Sequence, residues 1–97
     1  METIQVLVEF SAISRVLTGQ SEFSLNLKKG ASIADVVSVI GKKFPRLLGQ
    51  IIEKDGHALI PTNVFSVNGQ KIIHESDTAF QPDDGDKLIL LSLLAGG

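Results

Sequence analysis

Residues 87–94 place the strongest constraint on what this chain can fold into. Lys87 is followed by Leu88-Ile89-Leu90-Leu91 and, after Ser92, by Leu93-Leu94, a strand-length run with almost no polar alternation. Successive strand residues point to opposite faces, so a strand apolar on both parities belongs in the middle of a sheet. The turn cluster Pro82-Asp83-Asp84-Gly85-Asp86 marks where it starts. One face of this strand can pack on a helix. The other is either an ordinary part of a small sheet or a surface that docks a partner.

The rest of the chain supplies what such a strand needs. Ile4, Val6, Val8 and Phe10 alternate with Gln5, Leu7 and Glu9, which predicts a half-buried strand over residues 3–11. Beyond a polar interval around Thr18-Gly19-Gln20, Phe23, Leu25 and Leu27 alternate with Ser24, Asn26 and Lys28, so the two strands are expected to form a hairpin. Ile33, Val36, Val37, Ile40 and Phe44 then fall on one face of a helix. Ser32 is placed to cap it, Asp35 suits its positive end, and Lys42 and Lys43 suit the other. Pro45 disfavours helical geometry at Phe44 and stops the element. Leu47-Leu48 and Ile51-Ile52 permit a short helical turn before Lys54-Asp55-Gly56. Asn68-Gly69 joins residues 64–67 to residues 71–74 as a second hairpin. Hairpin, helix, irregular segment, hairpin and strand describe an α+β domain, a sheet covered by one main helix.

Ninety-seven residues suffice for one core and are too few for two, so residues 1–97 are read as a single domain. A formal charge of −2, from nine basic and eleven acidic residues interspersed, offers no footprint for phosphate backbones, and no nucleic acid partner is expected. No apolar run reaches the roughly 18 residues of a membrane span, and the N-terminus lacks the basic start of a signal peptide. A cytoplasmic location is the default expectation. Cysteine is absent, which removes disulfides, thiolate metal sites and any nucleophilic thiol. If sulfur chemistry occurs here, another group must hold the sulfur.

His57 and His74 stand without ligand or triad partners at a recognisable spacing. Asp83, Asp84 and Asp86 lack the spaced ligands and closing glutamate of a calcium loop and are read as a solvated turn; no metal or bound cofactor is expected. What remains is the terminal Gly96-Gly97. At an average glycine usage of roughly 7%, such a pair arises by chance in about one sequence in two hundred. A glycine carboxylate has no side chain to block attack at its carbonyl or entry into a narrow channel. It ionises near pH ~3.5, so at neutral pH it is a poor electrophile and needs activation by an outside enzyme using ATP. At about 3.3 Å per residue, Ala95 to Gly97 reach roughly 10 Å, enough to enter another protein's active site.

Several stretches together resemble the MoaD/ThiS family of ubiquitin-like sulfur carriers, in particular the small subunit of molybdopterin synthase. They are Phe10-Ser11-Ala12-Ile13-Ser14-Arg15-Val16-Leu17-Thr18-Gly19, Lys43-Phe44-Pro45, Val67-Asn68-Gly69, Asp84-Gly85-Asp86-Lys87-Leu88 and the tail Leu93-Leu94-Ala95-Gly96-Gly97. The resemblance covers essentially the whole chain. It implies a ubiquitin-like β-grasp fold with a mixed sheet, adenylation of Gly97 by an E1-like enzyme, and a terminal thiocarboxylate loaded by a sulfur donor. The tail, including Leu94, would enter a large synthase subunit or another sulfur acceptor. Phe10, Ser11, Ile72, Leu91 and Leu93 would contribute to docking. Molybdopterin synthesis ranks first among the roles implied; a carrier for thiamine, cysteine or another sulfur pathway is second, and a ubiquitin-like protein modifier third. An interaction module with incidental glycines is the reading from a different class.

Overall fold

The structure, a computed structural model, describes residues 2–74 and 76–93. In chain order it contains β1 (Thr3–Phe10), α1 (Ile13–Thr18), β2 (Glu22–Lys28), α2 (Ile33–Lys43), a 3₁₀ turn (Pro45–Leu47), β3 (Asn63–Val67), β4 (Lys71–Ile73) and β5 (Lys87–Ser92). The five strands form one mixed sheet in the order β2-β1-β5-β3-β4. β1 and β5 run parallel, and every other neighbouring pair is antiparallel. The chain's last strand thus lies at the centre, as its two apolar parities require.

Register sets the core. Val8 pairs with Leu88 and Phe10 with Leu90, while Phe65 and Val67 face the same two leucines from β3. These residues, with Ile4, Val6, Leu25, Leu27 and Ile73, are buried on one face of the sheet and belong to one cluster with Ile33, Val36, Val37 and Ile40 of α2. The Asp35 carboxylate accepts the Ser32 N–H at 2.9 Å and the Ser32 hydroxyl at 3.3 Å. The N–H groups of Ile33 and Ala34, which no helical carbonyl can reach, donate to the carbonyls of Phe80 and Thr78 at 2.8 and 3.0 Å. The helix start is therefore tied to the segment leading into β5. Its other end stops before Pro45, where the 3₁₀ turn begins.

Three details depart from the sequence reading. The interval before β2 contains α1, which the sequence reading passes over because six residues are too few to establish a helical period; two of its apolar residues, Ile13 and Val16, face solvent. β1 ends at Phe10, one residue early: the Ser11 N–H donates to the Ser14 Oγ at 3.0 Å, and that hydroxyl donates to the Ser11 carbonyl at 2.8 Å. The irregular segment is a wall of the core, since Leu47, Ile51, Ile52 and Leu59 are buried and single β-bridges join Ile52 to Leu48 and Leu59.

Candidate functional site

The root of the tail is held at the end of β5. The Ser11 hydroxyl donates to the Leu90 carbonyl at 2.7 Å, Ser92 pairs with Asn63, and the Leu93 N–H donates to the Thr62 carbonyl at 2.7 Å. Hydrogen bonds from two flanking segments thus anchor the chain up to Leu93, itself 59% exposed. Leu94, Ala95, Gly96 and Gly97, where the reacting group is expected, lie outside the described residues.

The other end of β5 is set by the aspartate cluster. The Asp84 Oδ1 accepts the Gln5 N–H and the Gly85 N–H donates to the Gln5 carbonyl, both at 2.7 Å. The Asp86 Oδ2 accepts the Asp83 N–H at 2.8 Å, and its Oδ1 accepts the Asn68 amide at 3.0 Å. These carboxylates are engaged with the backbone and with Asn68. Among the described residues, no group of three or more His, Cys, Asp or Glu side chains could hold a metal ion. His57 and His74 are exposed, and their backbone N–H groups donate to Asp55 and Asp77 in local turns.

The sheet face turned away from α2 is polar over β2 and most of β1, with Gln5, Glu9, Glu22, Ser24 and Asn26, and carries an apolar patch towards β5, β3 and β4. By register, Ile89 lies between Glu9 and Ser66, and Ser66 pairs onward with Ile72; Leu91 pairs with Val64, and Leu7 shares this parity on β1. Val64 is fully buried, Leu7, Ile89 and Leu91 are half-buried, and Ile72 is 46% exposed. Of the residues expected to dock a partner, Ile72 and Leu91 sit on this face. Phe10 does not. Its parity turns it to the helix side, where it is 3% exposed and meets Phe44 edge-on at 5.3 Å between ring centroids. It is a core residue, and its assignment to the docking surface is corrected. Ser11 holds Leu90 through its oxygen and so positions the tail root. Leu7 and Ile89 share this face, and Leu7 is visible in the sequence as the one apolar residue on the Gln5, Leu7, Glu9 parity of β1.

A cleft of about 340 Å³, lined by Ser38, Gly41, Lys42, Leu48, Lys54 and His57 among others, shares no residue with the outer face or the tail root.

No protein-family model matches the chain. Small archaeal modifier protein 3 of Haloferax volcanii is 29% identical over 94 residues, which is 97% of this chain and 100% of the relative. The crystal structure of small archaeal modifier protein 1 from the same organism superposes with a TM-score of 0.79 at 18% identity, covering 96% of this chain and 99% of that one. A putative molybdopterin converting factor, subunit 1, from Pyrococcus furiosus superposes with a TM-score of 0.67 at 22% identity, over 92% and 97%. The chain is thus similar in sequence to a small archaeal modifier protein and similar in fold to ubiquitin-like proteins of the MoaD/ThiS type. Its mixed five-stranded sheet with the covering helix α2 is the β-grasp of that group. No helix among the described residues is long and apolar enough to cross a membrane.

Proposed function

We propose that this protein is a sulfur carrier whose Gly97 carboxylate is adenylated by an E1-like enzyme and converted to a thiocarboxylate. The observation behind this reading is that Gly96 and Gly97 follow the central strand of a β-grasp domain by four and five residues, and that the chain leaving this strand, from Ser92 to Leu93, is anchored at a defined place. The Gly97 carboxylate attacks the α-phosphate of ATP, pyrophosphate leaves, and the mixed anhydride makes the carbonyl electrophilic. A donor supplying sulfur at the hydrosulfide level then displaces AMP, with loss of a proton, and leaves the thiocarboxylate. This chain contributes the acyl group and the surface that presents it. ATP is bound by the partner, and no cofactor of this chain's own is required.

For the acceptor, molybdopterin synthesis is proposed first. A large synthase subunit would dock on the outer face around Leu91 and Ile72, and sulfur would pass to a pterin precursor. The name of the 29% identical relative favours a second outcome from the same adenylate, in which a lysine amine of a target protein displaces AMP and Gly97 ends in an isopeptide bond. The test is incubation with a cognate E1-like enzyme, ATP and a sulfur donor, read by intact-protein mass spectrometry. One oxygen-to-sulfur exchange at Gly97 is the expected product. An unchanged mass, from folded protein with an intact terminus, would remove the carrier reading.

A further inference from the structure

Of the two strands that end the sheet, one is short and the other is not. β4 has three residues, a common way of blunting an edge, whereas β2 runs for seven, Glu22–Lys28, in unbroken register with β1 and without proline. The ends of the β1–β2 ladder give its bonding phase: the Phe10 N–H donates to the Ser21 carbonyl at 2.8 Å, and the Lys29 N–H donates to the Glu2 carbonyl at 3.2 Å. Alternation along an antiparallel pair then turns the backbone groups of Phe23, Leu25 and Leu27 toward β1 and those of Glu22, Ser24, Asn26 and Lys28 outward. All four outward residues are exposed, and among the described residues no strand pairs with that edge. The Lys28 carbonyl accepts the Ala31 N–H at 3.0 Å and keeps a second lone pair.

The charges on this edge are placed symmetrically. Glu22 and Lys28, of opposite sign, each lie three residues from Leu25. Charges at the ends of an edge strand ordinarily deter pairing. Here, antiparallel pairing of two copies about a two-fold axis at Leu25 sets Glu22 of each against Lys28 of the other. The same register sets Ser24 against Asn26 and brings the outward N–H and C=O groups together as hydrogen-bonded pairs, with Leu25 meeting its own copy on the axis as a non-hydrogen-bonded pair. Moving the axis by one residue takes both charges out of line and leaves two residues of each strand unpaired. Glu22 also lacks a compensating charge within its own sheet. It stands opposite Glu9 in the β1–β2 ladder, Glu9 holds Lys87 at 3.7 Å, and the ion pairs among the described residues include neither Glu22 nor Lys28. Like charges directly opposite destabilise a sheet, and Lys28 of a second copy would offset this pair.

We propose that β2 is a homodimer seam, pairing antiparallel with β2 of a second copy in the register that joins Glu22 to Lys28. Two five-stranded sheets then become one continuous sheet. β5 is the third strand from the seam and β4 the last, so both tail roots and the apolar patch around Ile72 stay uncovered. The seam makes no use of Gly97 and stands independently of the carrier reading.

Sedimentation equilibrium of the full chain, at concentrations up to about 1 mM, should show a species of twice the 10.4 kDa chain mass. Glu22→Lys and Lys28→Glu each set like charges together at both ends of the seam and should each weaken dimerisation by about tenfold. An equimolar mixture of these two variants restores opposite charges at both ends and should recover a dimer of parental affinity. Asn26→Pro removes an outward N–H, leaves the ladder to β1 intact and should abolish the dimer with the circular dichroism spectrum retained; should it fail to fold, the charge exchange decides without it. A parent protein that is monomeric throughout overturns the seam, and so does a mixture that associates no more tightly than either variant alone. A dimer indifferent to the charge variants but lost in Ile72→Glu places the contact on the outer sheet face and overturns it as well.

Discussion

At the scale of single residues, two positions bear more than their chemistry suggests. Ala12 lies at φ 50° and ψ −122°, a corner of backbone space that glycine enters without a Cβ penalty. Ala12→Gly is expected to stabilise the fold by about 1 kcal/mol, seen as a rise of roughly 4–8 °C in Tm by calorimetry. A lower Tm would mean that the backbone there is not strained. Asn68 is legible in the sequence as half of an Asn-Gly turn, and both Asn68 and Gly69 have positive φ. Its side chain does something the turn signal does not disclose: Oδ1 accepts the Lys87 N–H at 2.8 Å and Nδ2 donates to Asp86 at 3.0 Å, joining the hairpin to the start of β5. Asn68→Ala should therefore cost about 1–2 kcal/mol, more than Asn68→Gly, which keeps the turn and loses the same bonds. Urea denaturation of the two variants measures the difference. Equal midpoints would assign no share to the left-handed backbone.

At the scale of elements, α2 is the piece most fully encoded locally. Its apolar positions repeat at helical spacing, Asp35 and Ser32 close its start, and Pro45 its end, all within about fourteen neighbouring residues. Val37 is fully buried against the sheet. Val37→Asp places an unpaired carboxylate there and should cost upward of ~4 kcal/mol, a large share of the ~5–15 kcal/mol typical of a small domain. Circular dichroism during heating decides it, and a parental Tm would show that this helix face is not the one on the sheet. α1 is the contrary case. Ile13, Val16 and Leu17 fall at offsets of three and four, but six residues are too few to establish a period, Ile13 and Val16 face solvent, and the helix's position depends on Ser14 reaching back to Ser11. Phe10 was misjudged for a different reason: its parity, shared with Ile4, Val6 and Val8, already put it on the core side, and the resemblance overrode that pattern. On that side Phe44, from the end of α2, meets both Phe10 and Phe23 edge-on.

At the scale of the whole molecule, stability and function separate along β5. Among the described residues the buried apolar cluster ends at Leu90, and deletion of Gly97 should leave Tm within about 1 °C of the parent while thiocarboxylate formation is lost. Leu91→Glu should leave the Gly97 carboxylate chemically intact and weaken partner binding, because it puts a charge on the outer face beside Val64. Calorimetry for binding and mass spectrometry for sulfur loading separate the two failures; sulfur transfer retained without Gly97 would defeat the proposed mechanism. The sequence by itself determined the central position of β5, the two hairpins, the span of α2 and the candidacy of Gly97. Each follows from side-chain parity, turn chemistry or steric access over a few neighbouring residues. Tertiary structure alone decided which apolar residues reach solvent and which are sealed. Ile72, Leu91, Ile13 and Val16 are as apolar as Phe10. Their exposure is set by strand pairings and a covering helix contributed from tens of residues away, which no local pattern records.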